Sequence, residues 1–294
     1  MLNQLMSDPS NDEWGIKRLQ NCILNIAQYL HNFCEEYGIV YCLMGGSALG
    51  AVRHRGFIPW DDDMDVFMTP DNYEKFRKYF NLFGDKENFY LQEKGTGGYV
   101  STVKLRYNHS FYIEEAYEGK DINHGVFIDI FILHRCPDNR IKRLWQYCWA
   151  RYVIIKGLAD REYYPKQVLP GLIFKIMSIL PYHFLIKYAL FQLYRFRNCE
   201  SARLCHFMGH ATMKNAIYKR EYFDSVKKVK FEKIELNAPV GVEKYLHDRW
   251  GDYMKIPPKD SIVHAQHCLS WSDSVSFSNY NKNGIYTEES NILP

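Results

Sequence analysis

The sequence has few of the features that would assign it quickly. Its eight cysteines (22, 34, 42, 136, 148, 199, 205 and 268) form no C-x-x-C pair and no zinc-knuckle spacing. That argues against a redox motif, a structural zinc site and a disulfide framework. Net charge is small: 37 Lys and Arg against 34 Asp and Glu, formally +3. No general field for polyanions follows, no basic stripe stands out, and nucleic acid is not an expected partner. The opening stretch "MLNQLMSDPSNDEWGIKR" contains no basic-then-apolar leader. No apolar run reaches the roughly 20 uninterrupted residues of a membrane span. Internal repeats and low-complexity segments are absent too. Together these absences lead to the expectation of a reduced, cytoplasmic protein.

What is present is a chain able to build a real core. Its 294 residues are 47% hydrophobic and 16% aromatic, which excludes intrinsic disorder. Residues 14–38 carry apolar side chains at helical spacing: Ile16, Leu19, Ile23, Ile26, Leu30 and Phe33. "IVYCLM" (39–44) reads as a buried strand, and Gly45-Gly46-Ser47 turns the chain into a short helix over 48–54. "MDVFM" (64–68) is a second strand. Thr69 then has the character of an N-cap, with Pro70 at the first helical position. Strands follow at 89–92, 101–107, 110–116 and, most strongly, at "GVFIDIFIL" (125–133). Residues 140–200 are helical and aromatic in character. Within them 168–191 is very apolar but interrupted by Pro170, Lys175, Pro181, His183 and Lys187. It reads either as helices on the inner face of a membrane or as a second core layer. Residues 227–254 read as a strand, a turn at Ala238-Pro239 and a helix.

The densest signal is "GGSALGAVRHRGFIPWDDDMDVFM" (45–68), in which four of the five residues 61–65 are aspartates. Like charges so close cost several kcal/mol to desolvate unless a cation joins them. In an extended chain Asp63 and Asp65 project from one face with Cβ atoms roughly 7 Å apart. Both then reach one hard divalent cation, Mg²⁺ or Mn²⁺. Gly45, Gly46 and Ser47 lie at a strand-to-helix turn, where free amides and the helix dipole favour phosphate. Arg53, His54 and Arg55 follow within two turns and are either further phosphate ligands or a solvated helix end. Asp129 sits between isoleucines in "GVFIDIFIL", where a carboxylate needs a cation or hydrogen bonds to be tolerated. If its strand neighbours that of Asp65, it joins the cluster as a ligand and as a base for an attacking hydroxyl. Lys104 and Arg106 share a strand face and point either to this site or to Glu114 and Glu115. His206 and His210 stand one helical turn apart, a metal-ligand spacing with no third partner. Trp60, Tyr99 and Tyr107 are aromatics that suit a quaternary ammonium group.

With those residues in view, "GGSALGAVRHRGFIPWDDDMDV" and "HGVFIDIFIL" closely resemble the LicD family, which includes the fukutin-like proteins. The resemblance extends over roughly 15–135 and 225–260. It implies a nucleotidyltransferase-type α/β fold; the chain then reads as a core over 14–135, a mostly helical insertion over 136–225 that the resemblance does not cover, a return to the core over 226–260 and a polar tail over 270–294. It also implies Asp63, Asp65 and Asp129 as metal carboxylates. The activity implied is transfer of phosphocholine, or a related polyol phosphate, from a CDP-choline-like donor to a hydroxyl of a glycan or lipid-linked glycan. Where related sequences often read "FIDIFPLD", this one reads "FIDIFILHRC". The rival reading on the same fold is nucleotidyl transfer, which would release pyrophosphate instead of CMP. A non-enzymatic membrane scaffold is a third.

Overall fold

The computed structural model describes residues 12–94, 96, 103–159, 182–209, 212–258, 262, 268–279 and 291–292. Helix α1 (Lys17–Glu36) opens where the Asp12 carboxylate accepts from the Ile16 amide at 3.0 Å. Its apolar stripe, Leu19, Ile23, Ile26, Leu30 and Phe33, is buried. Each such side chain contributes roughly 1.5–3 kcal/mol relative to exposure. Gly38, at φ +60°, turns the chain away into β1 (Tyr41–Leu43). Next come α2 (Gly45–Arg53), β2 (Asp65–Met68) and α3 (Pro70–Phe83). Thr69 caps α3 by accepting from the Asn72 amide, with Pro70 at the first helical position as expected.

A five-stranded mixed sheet forms the centre. It contains β3 (Phe89–Gln92), β4 (Val103–Tyr107) and β6 (Phe127–Ile132) in the order β1-β2-β6-β4-β3. Only β2 and β6 pair in parallel. The expected α/β class and the expected strands at 39–44, 64–68 and 125–133 are therefore present, each one to three residues shorter at its ends. Strand β5 (Phe111–Glu114) leaves this sheet and joins a second one.

After β6 come β7 (His134–Cys136), α4 (Arg140–Ala159), α5 (Tyr182–Tyr194), β8 (Arg203–Cys205) and β9 (Ile217–Lys219). Strands β7, β8 and β9 form their own small sheet. This region has a separate core that includes Cys136, Ala150, Val153, Ile186, Ala189, Leu193 and Phe207. Residues 168–181 of the apolar stretch lie outside the described residues. Ile186 is fully buried, so that part of 168–191 is core.

Two expectations need correction. Ala238-Pro239 is not a turn but the end of β11 (Ile234–Pro239), which pairs with β10 (Val226–Phe231) before α6 (Val242–Trp250). The reversal falls at Glu232, a non-glycine residue at φ +55°. Residues 270–272 of the expected polar tail lie in β12 (Cys268–Ser272), which pairs with β5 and with β13 (Asn291–Ile292) and buries Trp271 completely.

Candidate active site

In the parallel pair, Asp65 stands opposite Asp129 and Phe67 opposite Phe131. Side chains alternate faces along a strand, so all four share one face of the sheet. The His206 ring packs against Phe67 at 5.6 Å and Phe131 at 4.8 Å, covering the far end of that face. His206 is thus a core residue whose ring burial holds down to a pKa of about 4. His210 lies outside the described residues.

The alternation continues upstream. Asp62 and Met64 are fully buried, whereas Asp61, Asp63 and Asp65 are partly exposed. Asp62 turns inward, accepting from the Tyr112 hydroxyl at 2.9 Å and the Cys268 amide at 3.0 Å. The buried Gln20 of α1 donates to the carbonyls of Ile58 and Asp61. The four aspartates therefore divide: Asp62 anchors the loop, and the other three face the site.

Helix α2 begins at Gly45, three residues before its expected start. Gly45 adopts φ +52°, and its amide donates to the Tyr245 hydroxyl of α6 at 3.1 Å. Ser47 is buried, and its hydroxyl accepts from the Asp65 amide at 2.8 Å. Both residues thus help to hold the site together. The first helical bond runs from the Ala48 amide to Met44, and no side chain caps the helix. The amides of Gly46 and Ser47 precede that bond and form the anion-favouring end of α2. A Cβ on Gly46 would stand 2.8 Å from Asp61 Oδ2, and one on Gly45 3.6 Å from Asp65 Oδ2. The carboxylates lie directly against the bare glycine backbone.

Electrostatics match this crowding. Burial raises the Asp65 carboxyl well above the usual carboxylate range, and the charges of Asp63, Asp129 and Asp61 add to the rise. Asp61 is raised by burial and by Asp63 and Asp62. Burial also raises Asp129, although Lys104 opposes it. The buried Lys104 of β4 donates from Nζ to Asp129 Oδ2 at 3.0 Å and to Glu114 Oε1 at 3.1 Å. Its ammonium lies 3.4 Å from the centre of the Phe127 ring. Burial works against the Lys104 charge, but the two carboxylates outweigh it and raise its pKa. Arg106 donates to Glu114 Oε2 at 3.1 Å and to Gln92 and Gly125. The two expectations for Lys104 hold together: it reaches the site and it bridges to Glu114.

The chemistry of these residues fits a hard divalent cation. Asp65 and Asp129 stand in register on adjacent strands, Asp63 precedes β2 by two residues, and Asp129 Oδ1 is buried with no hydrogen-bond partner. Among the described residues no three His, Cys, Asp or Glu side chains already close round a metal position. The carboxylates form a charge cluster and not a finished coordination sphere.

Other expected contacts are not assembled here. Arg53 donates to the carbonyls of Tyr253 and Lys255 and to His54. Arg55 is exposed at φ +57°, and its carbonyl accepts from the Glu232 amide. Neither guanidinium is drawn to the carboxylates by any of these bonds. Trp60 packs on Trp14 and His54, and Tyr107 on Phe89 and His109. Tyr99 lies outside the described residues. A cavity of about 680 Å³ is lined in part by Tyr218, Tyr222, Tyr245, Trp250, Asp248 and Arg249. Tyr245 is shared between its wall and Gly45. Another cavity of about 570 Å³, lined by Arg135, Arg197 and Arg220 among others, lies past Thr69 at the opposite end of β2 from Asp65.

Sequence reasoning missed Asp61, Glu114 and Tyr245 as parts of the site. The period-two alternation carried the signal for Asp61. Tyr245 lies 200 residues from Gly45, and no local pattern marks it.

The chain is similar to known proteins over the segment that carries these residues. A family model described as "LicD/FKTN/FKRP, nucleotidyltransferase domain" matches residues 38–159, which include all of β2 and β6. The chain is 29% identical over 258 residues to the lipopolysaccharide cholinephosphotransferase LicD of Haemophilus influenzae. That similarity spans 83% of this chain and 93% of that protein. A shorter stretch of 55 residues is 38% identical to the ribitol 5-phosphate transferase FKRP of Homo sapiens, covering 19% of this chain and 11% of that one. An uncharacterized protein of Rickettsia typhi, RT0683, is 36% identical over 53 residues, covering 18% of this chain and 17% of its own.

Proposed function

We propose that this chain is a transferase of the LicD family and that it moves phosphocholine, or a related alcohol or polyol phosphate, from a CDP-linked donor to a glycan hydroxyl. The glycan is one of the cell surface or its lipid-linked precursor. The observation that carries this reading is the register pair Asp65–Asp129, set beside a glycine-opened helix end. The name of the Haemophilus influenzae relative supports phosphocholine and lipopolysaccharide, and that of the human relative supports ribitol 5-phosphate.

Asp63, Asp65 and Asp129 would hold Mg²⁺ or Mn²⁺, which when bound supplies charge neutralisation for the carboxylates and for the phosphate under attack. The remaining steps belong to this chain. The amides at the start of α2 receive the donor diphosphate. Asp129 takes the proton of the acceptor hydroxyl, whose oxygen attacks the β-phosphorus in line. The bond from that phosphorus to the bridging oxygen breaks, and CMP leaves. A raised carboxyl pKa suits a base, since it brings proton affinity nearer working pH. Lys104 is a positioning residue: it occupies Oδ2 of Asp129 and leaves Oδ1 for chemistry. The cavity beside Tyr245 receives the acceptor sugar, with aromatic walls and a few polar groups of the kind that orient a ligand.

The test is a panel of CDP-linked alcohols, each incubated with the protein, Mg²⁺ or Mn²⁺ and candidate glycans. CMP release that depends on the glycan supports the reading. Release of pyrophosphate from nucleoside triphosphates, without CMP from any CDP-alcohol, replaces it with nucleotidyl transfer.

A further inference from the structure

Helices α4 and α5 present an unusual surface outside the catalytic face. On α4, Ile141 is 79% exposed, Leu144 50% and Trp145 46%. These positions recur at three and four, so they form one stripe. On α5, Tyr188 is 41% exposed and Phe191 62%. The two stripes adjoin: Trp145 Nε1 donates to Gln192 at 3.0 Å, and the Trp149 and Tyr188 rings stand 5.0 Å apart. Exposed apolar residues scattered singly need no explanation, whereas a contiguous aromatic patch marks an interaction surface.

The charges round the patch say what covers it. Neither helix contains an Asp or Glu. The exposed basic residues Arg140, Lys142, Lys187 and Arg195 lie on or beside the two helices. A whole-chain charge of only +3 makes this local one-sidedness a property of the surface and not of the composition. Exposed Trp, Phe, Ile and Leu flanked by Lys and Arg, with no acid on either helix and the neighbouring Asp138 paired to Arg203, is the pattern of a surface that sinks into the headgroup layer of an anionic bilayer. Among the described residues no helix is long and apolar enough to cross a membrane, so contact would lie in the interface plane. A protein partner would more often be met by a surface of mixed charge.

We infer that the α4–α5 face docks this protein on an anionic lipid surface through Ile141, Trp145 and Phe191, with Lys142 and Lys187 reaching the headgroups. The apolar positions are exposed ones, unlike Ile186, whose substitution would disrupt the local core. The inference does not rest on the transferase chemistry, but it suits an acceptor that is lipid-linked.

The experiment is flotation of the full chain with vesicles of phosphatidylcholine mixed with phosphatidylglycerol, and with phosphatidylcholine alone. The wild type is expected to float with the anionic vesicles and far less with the neutral ones, and to detach in part at high salt. The double variant Ile141→Glu, Trp145→Glu should bind at least ~10-fold less, since two apolar anchors become like charges of the lipid. Phe191→Glu and the pair Lys142→Glu, Lys187→Glu should fall in the same direction, with melting curves confirming the fold of each. Leu82→Glu, at an exposed apolar site on α3, should float like the wild type. Failure of the wild type to float, or equal flotation of all these variants, overturns the inference. A dimer in solution that Ile141→Glu, Trp145→Glu dissolves, without vesicle binding, would assign the face to a second copy and overturn it as well.

Discussion

Asp65 and Asp129 are register partners across the one parallel pair of the central sheet, and Lys104 on the neighbouring strand holds a single oxygen of Asp129. Two carboxylates brought together by strand register, with a cation engaging only one of their oxygens, form a site arranged for a further charge. Five consequences can be measured.

Asp129→Asn keeps the shape and removes the charge. Turnover should fall at least ~10²-fold, the low end for losing a positioned general base. Folding stability should fall, though by less than in Lys104→Met, because the buried Lys104 loses its ion pair with Asp129 but keeps the one with Glu114. The rise in melting temperature on adding Mn²⁺ should shrink. Near-normal CMP release by this variant removes Asp129 from the mechanism.

The raised pKa of Asp65 makes stability depend on pH. A carboxyl raised on folding binds more protons in the folded state than in the unfolded one. Its contribution is therefore intact below the ordinary carboxylate value of about 4 and is lost as pH rises through the folded value. Without divalent cations, Asp65→Asn should melt with the wild type near pH 4 and on the order of a few °C above it at pH 8. Identical melting at both pH values would show that the carboxylate is not strained by its neighbours.

Lys104→Met leaves Asp129 and part of Glu114 buried without their shared cation. Breaking a buried pair from one side typically costs about 3–5 kcal/mol. Urea unfolding would measure it, and a loss below about 1 kcal/mol would mean that Arg106 alone satisfies Glu114.

Gly46→Val places a branched side chain where Asp61 Oδ2 now stands. Asp61 is the flexible end of a side chain and can move, so the fold should survive. Donor binding should weaken at least ~10-fold, about 1.4 kcal/mol. Calorimetric titration with CDP-choline in Mg²⁺ reads this directly. Unchanged affinity would rule out the glycine turn as the phosphate cradle.

Trp250→Ala removes an exposed ring, 42% accessible, from the cavity beside Tyr245. The KM for the glycan acceptor should rise several-fold while that for the donor stays level. A rise in donor KM instead would place the nucleotide in this cavity.

Much of the site is legible in the sequence. Alternation alone separates Asp62 from Asp61, Asp63 and Asp65, and the Thr69-Pro70 cap fixes where β2 must end. The apolar setting of Asp129 signalled that something must hold its charge, and Lys104 does so. What escaped reading depends on long-range contact. Arg53 follows a glycine turn at phosphate-binding distance in sequence, but the main chain at Tyr253 and Lys255 claims it. The hairpin of β10 and β11 was missed because Glu232, not a glycine, adopts the left-handed conformation at its reversal. Ala238-Pro239 resembles a turn, yet Pro239 ends a strand whose pairing tolerates it there. Strand β12 reads as polar, and only pairing with β5 explains why it buries Trp271.

The central claim is the identity of the phosphorus that moves. CDP-choline labelled at the β-phosphorus, and separately at the α-phosphorus, would be incubated with the protein, Mg²⁺ and a lipopolysaccharide or lipid-linked glycan fraction. If another CDP-alcohol proves the better donor, it takes the place of CDP-choline. The account predicts that the β label enters the glycan, that the α label stays in released CMP, and that Asp129→Asn abolishes both. Entry of the α label into the glycan would show that the nucleotide itself is transferred, and would contradict the account.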